Sequence, residues 1–213
     1  MARNTKEKAQ ETRERILDAA EDVFFDKGVS NTSLNDVAQA AGVTRGAIYW
    51  HFKNKADLFN AMCERVRTPI REKIEAIADE KTTDPLGQMR TSSLGIRQQI
   101  IDNPHYRKVL TILFHRCEYL DANDPILQYQ RDWLLHGREA TQRALAHAQV
   151  KGQLPAELDI RMASIVMHVA YDGMINTWLL TPDHFDLIKD GTRLLDAQLD
   201  SMRTSPALRQ TVG

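Results

Sequence analysis

Cysteine is nearly absent. The 213 residues hold only Cys63 and Cys117, far apart and each within a helical pattern, which excludes a disulfide scaffold and leads us to expect a reduced, cytoplasmic protein. An excess of positive charge is missing too. With a formal net charge of −1, bulk charge cannot carry a claim of nucleic-acid binding, so any such claim needs a local patch. No apolar run approaches the roughly 18 residues of a membrane span. The polar opening, with Lys6, Lys8, Arg13 and Arg15, has no signal-peptide core. Strand-like alternation of apolar and polar residues is not found. Metalloprotease, phosphate-loop and nucleophile-elbow motifs are likewise missing. His115, Cys117 and Glu118 are a metal-type cluster, but positions i and i+2 on a helix point apart and no second Cys or His group supports them. No catalytic residue, cofactor or metal site is expected.

What remains is a string of helices. Ile16, Leu17, Ala20, Val23 and Phe24 recur as one buried face, and Lys27-Gly28 stops that helix. Ser33 with Asp36 forms a near capping box for the next, which Leu34, Val37, Ala38 and Ala41 line and Gly42 ends. Thr44 caps a very short third helix reaching Phe52. Asn54 with Asp57 caps a fourth, whose inner face is Leu58, Phe59, Met62 and Val66. Pro69 interrupts that pattern, so a kink or break is expected there, at the junction of two domains. Asp84-Pro85, Asn103-Pro104 and Asp124-Pro125 each set a capping side chain before a helix-opening proline, predicting helices over 85–101, 104–120 and 125–151. Asp159 and the apolar residues up to Leu179 predict an eighth, and 186–202 a ninth. The fold class is all-α with about nine helices. Residues 1–54 form an N-terminal arm and a three-helix helix-turn-helix domain. Residues 55–213 form a second, C-terminal helical domain, with the fourth helix linking the two.

The second and third helices flank a tight Gly42 turn. A pair of this kind places its second helix in the DNA major groove. Val43, Ala47, Ile48 and Phe52 hold the short helix inward, which leaves Thr44, Arg45, Gly46, Tyr49 and His51 facing out. Arg45 leads, where a guanidinium can meet guanine O6 and N7. Gly46 permits close approach. Tyr49, His51, Lys53 and Lys55 suit phosphate contacts, as do the hydroxyls of Ser33 and Thr44 at helix N-termini. Arg45, His51, Lys53 and Lys55 make four potential cations without an acid among them. Trp50 is expected to pack over the domain surface.

The stretch GVTRGAIYWHFKNKADLF, with ILDAAEDVFFDKGVSNTSLNDVAQAA before it, resembles the DNA-binding domain of the TetR family of bacterial repressors. MARNTKEKAQETR, DPLGQMR, HRCE, GQLP and SPALR are similar to the branch that represses multidrug efflux pumps of the AcrAB and MexXY kind. The resemblance implies a homodimer, two heads on a double-stranded palindromic operator, and a cavity for a small-molecule inducer in each C-terminal domain. It implies Ser33, Thr44, Arg45, Tyr49, His51 and Lys55 as DNA contacts. A regulator of lipid or metabolite sensing, and an all-α interaction module without DNA binding, stand as alternatives.

In the C-terminal half, small and polar residues interrupt apolar faces: Ser92, Ser93 and Gly95, then Gly137 and Thr141, then Asp172 and Asn176. They either loosen packing into a cavity or satisfy buried groups locally. A pocket would be lined by Val66, Ile96, Leu110, Leu113, Phe114, Leu134, Tyr171 and Ile175, with Ser93, Asp172 and Asn176 as polar anchors. Asp172 could anchor a cationic drug or play a structural part. The eighth and ninth helices are the expected dimer interface, unless Trp178, Leu194, Leu195 and Leu199 simply complete the protomer core. The function expected is a dimeric, ligand-released repressor of an efflux operon, induced by small apolar or cationic compounds.

Overall fold

Helix-forming stretches punctuated by caps dominate the chain, and they fold as helices. A computed structural model describes residues 2–79, 81–119 and 121–210, with side chains placed from Lys6 onward. Among the described residues the elements are α1 (Ala2–Lys27), α2 (Leu34–Ala40), α3 (Arg45–His51), α4 (Lys55–Ala78), α5 (Pro85–Asp102), α6 (Pro104–His115), α7 (Pro125–Val150), α8 (Ile160–Leu180), α9 (Lys189–Thr204) and a 3-10 turn at Pro206–Leu208. No strand forms among them. A single antiparallel bridge joins Leu158 to Arg209.

The chain divides into two compact units: Met1–Thr68 with Asn103–Arg131, and Pro69–Asp102 with Asp132–Gly213. In the first, Ile16, Leu17, Phe24, Val37, Ile48, Phe52, Leu58, Phe59 and Met62 are buried. The Phe24 and Phe59 rings meet edge-on at 6.0 Å, a favoured aromatic geometry. One buried carboxylate gathers charge here. Glu21 accepts from Arg65 Nη1 at 3.0 Å and lies 2.8 Å from His105 Nδ1, so α1 is tied to both α4 and α6. Lys108 and Asp22 make a second α1–α6 pair.

The second unit packs Ile77, Leu86, Leu145, Leu158, Leu195, Leu199 and Met202 into one core. Trp178, Leu195 and Leu199 are buried inside the protomer, whereas Leu194 is exposed. The Gly137 and Thr141 interruption is satisfied locally: the Thr141 hydroxyl donates to the Gly137 carbonyl at 3.0 Å and lies 3.0 Å from His168 Nε2.

Two expectations change and a third is narrowed. Helix α1 extends back through the polar opening to Ala2, where no apolar periodicity announces it. Helix α6 stops at His115 rather than 120. The segment after it is drawn off by tertiary hydrogen bonds, with Val29 N donating to the Arg116 carbonyl at 2.9 Å and Ser30 Oγ to the Glu118 carbonyl at 3.3 Å. Residue 120 lies outside the described residues. Finally, Pro69 does not end α4, which runs Lys55–Ala78 around it; the chain passes from one unit to the other at Thr68.

Candidate nucleic-acid interface

Helix α2 starts at a capping box: Ser33 Oγ accepts from Asp36 N at 3.2 Å, and Ser33 N donates to the Asp36 carboxylate at 2.8 Å. Lys27 also pairs with Asp36 at 2.7 Å. These bonds hold the Asp36 carboxyl well below its usual range, the Lys27 bond first and those from Ser33 next.

The turn after α2 is a Schellman motif. Val43 N donates to the Ala38 carbonyl at 3.0 Å and Gly42 N to the Gln39 carbonyl at 3.1 Å, with Gly42 at φ +62°. Only a residue without Cβ takes that left-handed conformation without strain. Thr44 then caps α3, accepting from Ala47 N at 3.2 Å.

On α3, Ile48 and Phe52 are buried while Ala47 is partly so. Thr44, Arg45, Gly46 and Tyr49 face solvent, and His51 is half-buried. The Arg45 guanidinium stands 5.6 Å from the Tyr49 ring centroid one turn on. That cation–π contact pre-orders both side chains on the outer face. Burial, with Arg13 as a lesser cause, pushes the His51 imidazole below its usual range. It therefore presents a neutral donor, and the four potential cations reduce to three at neutral pH.

Trp50 corrects its expectation. Rather than packing over the domain surface, the indole is 73% exposed, with an edge-on approach to His51 at 4.5 Å. With Tyr49 it makes an aromatic ledge that solvent alone does not favour. Its place between two outward residues was the available signal.

Lys53 is exposed, while its backbone N donates to Asp57 at 2.9 Å. Lys55 is partly buried. Its ammonium donates to the Val29 carbonyl at 2.7 Å and the Ser30 carbonyl at 3.1 Å, leaving one of three N–H groups for a phosphate.

The suggested pocket residues fall in both units. Val66 is buried, Leu110 and Leu113 are half-buried and Phe114 is exposed in the first. In the second, Ile96 and Ile175 are buried, Ser93, Tyr171, Asp172 and Asn176 are half-buried, and Leu134 is exposed. Burial pushes the Asp172 carboxyl up to about 6.

Among the described residues, Asp18, Glu21 and His105 are the grouping with metal-like spacing. Arg65 already bridges Asp18 at 2.7 Å and Glu21 at 3.0 Å, so a guanidinium holds the cation position. Burial pushes both thiols up, Cys117 to about 11, and neither is a thiolate nucleophile at neutral pH.

Known proteins match this chain over most of its length. Residues 16–62 match the family model for bacterial regulatory proteins of the tetR family. Residues 84–204 match the C-terminal region of MAATS-type transcriptional repressors. The chain belongs to the TetR family of transcriptional repressors. The HTH-type transcriptional regulator TtgR of Pseudomonas putida is 43% identical over 99% of this chain and 100% of its own. NalD, the secondary repressor of the MexAB-OprM multidrug efflux pump in Pseudomonas aeruginosa, superposes with a TM-score of 0.80 at 33% identity, covering 93% of this chain and 99% of that one. The SmeT–triclosan complex gives a TM-score of 0.84 at 30% identity, covering 95% and 97%. As a TetR-family protein the chain is a transcriptional regulator with an N-terminal helix-turn-helix head. No helix among the described residues is long and apolar enough to cross a membrane.

Proposed function

We propose that the protein represses a multidrug efflux operon in the cytoplasm, as a homodimer on a palindromic operator, and is released by small apolar or cationic compounds. Residues 1–54 act as the DNA-binding head and residues 55–213 as the sensing and dimerisation part. The protein carries out no catalysis.

The observation that carries this reading is the outer face of α3. Arg45, Tyr49 and Trp50 are exposed on a helix that Thr44 caps and Ile48 and Phe52 anchor. Arg45 reads base edges, and each good bidentate pair contributes about 1–3 kcal/mol of discrimination. Gly46 lets the helix approach, with only the Thr44 hydroxyl within 4.0 Å of where a Cβ would sit. Tyr49, His51, Lys53, Ser33, Thr44 and the remaining Lys55 N–H bind phosphate, and the exposed Trp50 adds an apolar and N–H contact.

One recognition helix reads too few base pairs alone, so two copies supply two half-sites. Met162, Val169, Gly173 and Leu180, spaced i, i+7, i+11 and i+18 along α8, form an exposed stripe, and Leu194 on α9 is exposed as well. That pattern supports α8 and α9 as the dimer face. Release needs a ligand that prefers a state with mis-spaced heads, and a coupling of about 1–3 kcal/mol suffices.

Gel-shift titration with the DNA upstream of the protein's own gene tests the proposal. Wild type should shift it, Arg45→Ala should shift it far less, and dyes or antibiotics should reverse the shift. Equal, sequence-indifferent binding by both proteins would refute it.

A further inference from the structure

The second unit contains a buried cation without an anion. Arg97 on α5 is 1% exposed. Its Nη1 donates to Ser93 Oγ at 2.5 Å and its Nη2 to Thr192 Oγ1 at 3.0 Å. Both partners are neutral hydroxyls. Its Nε is buried without a hydrogen-bond partner, and the Tyr171 hydroxyl on α8 is buried beside Ser93. Among the described residues no carboxylate lies within ion-pair distance of this guanidinium. Asp196, whose charge Arg97 feels, forms its own pair with Arg90 at 2.8 Å.

Burying an unpaired charge is costly, and buried charges are ordinarily paired. The surroundings nevertheless make room for this one. A Cβ on Gly191 of α9 would stand 2.8 Å from Arg97 Cδ and 3.0 Å from its Nε, so the glycine clears the path that the side chain follows. An arginine is also a poor choice for filling apolar space, since Met or Leu would fill the same volume without desolvating a charge. What a guanidinium does well is receive a planar, two-oxygen anion through its fork of donors.

We propose that Arg97, with Tyr171 and Ser93, forms an anion-binding subsite that takes the carboxylate of an otherwise apolar organic acid. Arg97 supplies the charge and the planar donor fork. Tyr171, beside Ser93, supplies its buried O–H as a second donor, and the neighbouring Ile96, Met174 and Ile175 are buried apolar residues suited to a hydrocarbon body. This deepens the sensor reading above, since it adds acidic compounds to the effectors that reading names, and it rests on that reading only for the consequence at the operator.

Direct binding separates the two. Isothermal titration of the full-length protein with benzoate and 1-naphthoate, each against its uncharged amide, reads the subsite without DNA. Wild type is expected to prefer at least one acid over its amide by about tenfold or more, the factor that a charge-assisted hydrogen bond supplies. Arg97→Met should remove the preference while leaving amide binding unchanged, and Arg97→Lys should restore part of it. Thermal melting of each variant confirms that it is folded. Absence of a preference for either acid in wild type overturns the subsite, as does an undiminished preference in Arg97→Met. Loss of dimer affinity in Arg97→Met without loss of acid preference also overturns it, and assigns the missing anion to the partner subunit. An acid preference that depends on Arg97, in a protein that fails to bind its upstream DNA, sustains the subsite and refutes the repressor reading alone.

Discussion

The Lys55 ammonium lies 2.7 Å from the Val29 carbonyl, so a residue at the start of α4 closes the turn between α1 and α2. The same turn donates from Val29 N to the Arg116 carbonyl just beyond α6. Lys55 is thereby a structural cation first and a phosphate ligand second. Lys55→Met should take this donor from the Ser30 carbonyl, leave the Val29 carbonyl with the longer Thr32 N–H bond at 3.4 Å, and lower stability by about 2 kcal/mol, in the range of hydrogen bonds to charged groups. Urea denaturation measures this; an unchanged midpoint would show that water replaces the ammonium freely.

Arg45 and Lys53 are both exposed near the two ends of α3, yet they should behave differently. Arg45→Ala is expected to relax sequence preference at one operator position, at about 1–3 kcal/mol. Lys53→Ala should weaken binding evenly across sequences and reduce the salt slope by about 1. Competition titrations over single-base operator variants at two salt concentrations separate these outcomes.

Trp50→Ala should lower operator affinity without altering the fold, because a side chain that is 73% exposed contributes within about 0.5 kcal/mol to stability. Paired melting and DNA-binding curves check this. A large loss of melting temperature would return Trp50 to a packing role.

Asp172 yields a pH signature. Burial raises its carboxyl from the ordinary 3.8 to about 6, so the neutral form is the one the folded state favours. The stability it contributes is fully present below about 3.8 and is lost as pH rises through about 6. Asp172→Asn should therefore be more stable than wild type at pH 8, by roughly 3 kcal/mol, and the advantage should vanish toward pH 4. Denaturation across that range tests it, and an equal difference at both ends would contradict the assignment.

Much of this architecture was legible in the residues themselves. The Asn103 and Asp159 caps, with the Pro104 that follows the first, opened α6 and α8 where expected, because a cap satisfies its own helix and needs no distant partner. Thr44 and Gly42 likewise specified α3 and the turn before it. What escaped reading depended on distant groups. The end of α6 is fixed by Val29 and Ser30, about ninety positions back in the chain. By residue type Lys55 is another DNA-facing cation, and only the carbonyls of Val29 and Ser30, more than twenty positions back, make it structural. Trp50 was misjudged because residue type favours burial for an indole, whereas helix phase, which put it among outward neighbours, was the better guide. Burial of the Arg97 charge within α5 has no local signal, since it follows only from packing against Gly191 and Thr192 on α9.

Fluorescence anisotropy against a palindromic duplex from the upstream region, and a scrambled duplex of equal length and composition, tests the central claim most directly. The account predicts that wild type prefers the palindrome by about 10³-fold or more, and that Arg45→Ala loses a large part of that preference while remaining folded. Equal wild-type affinity for the two duplexes at physiological salt would contradict it.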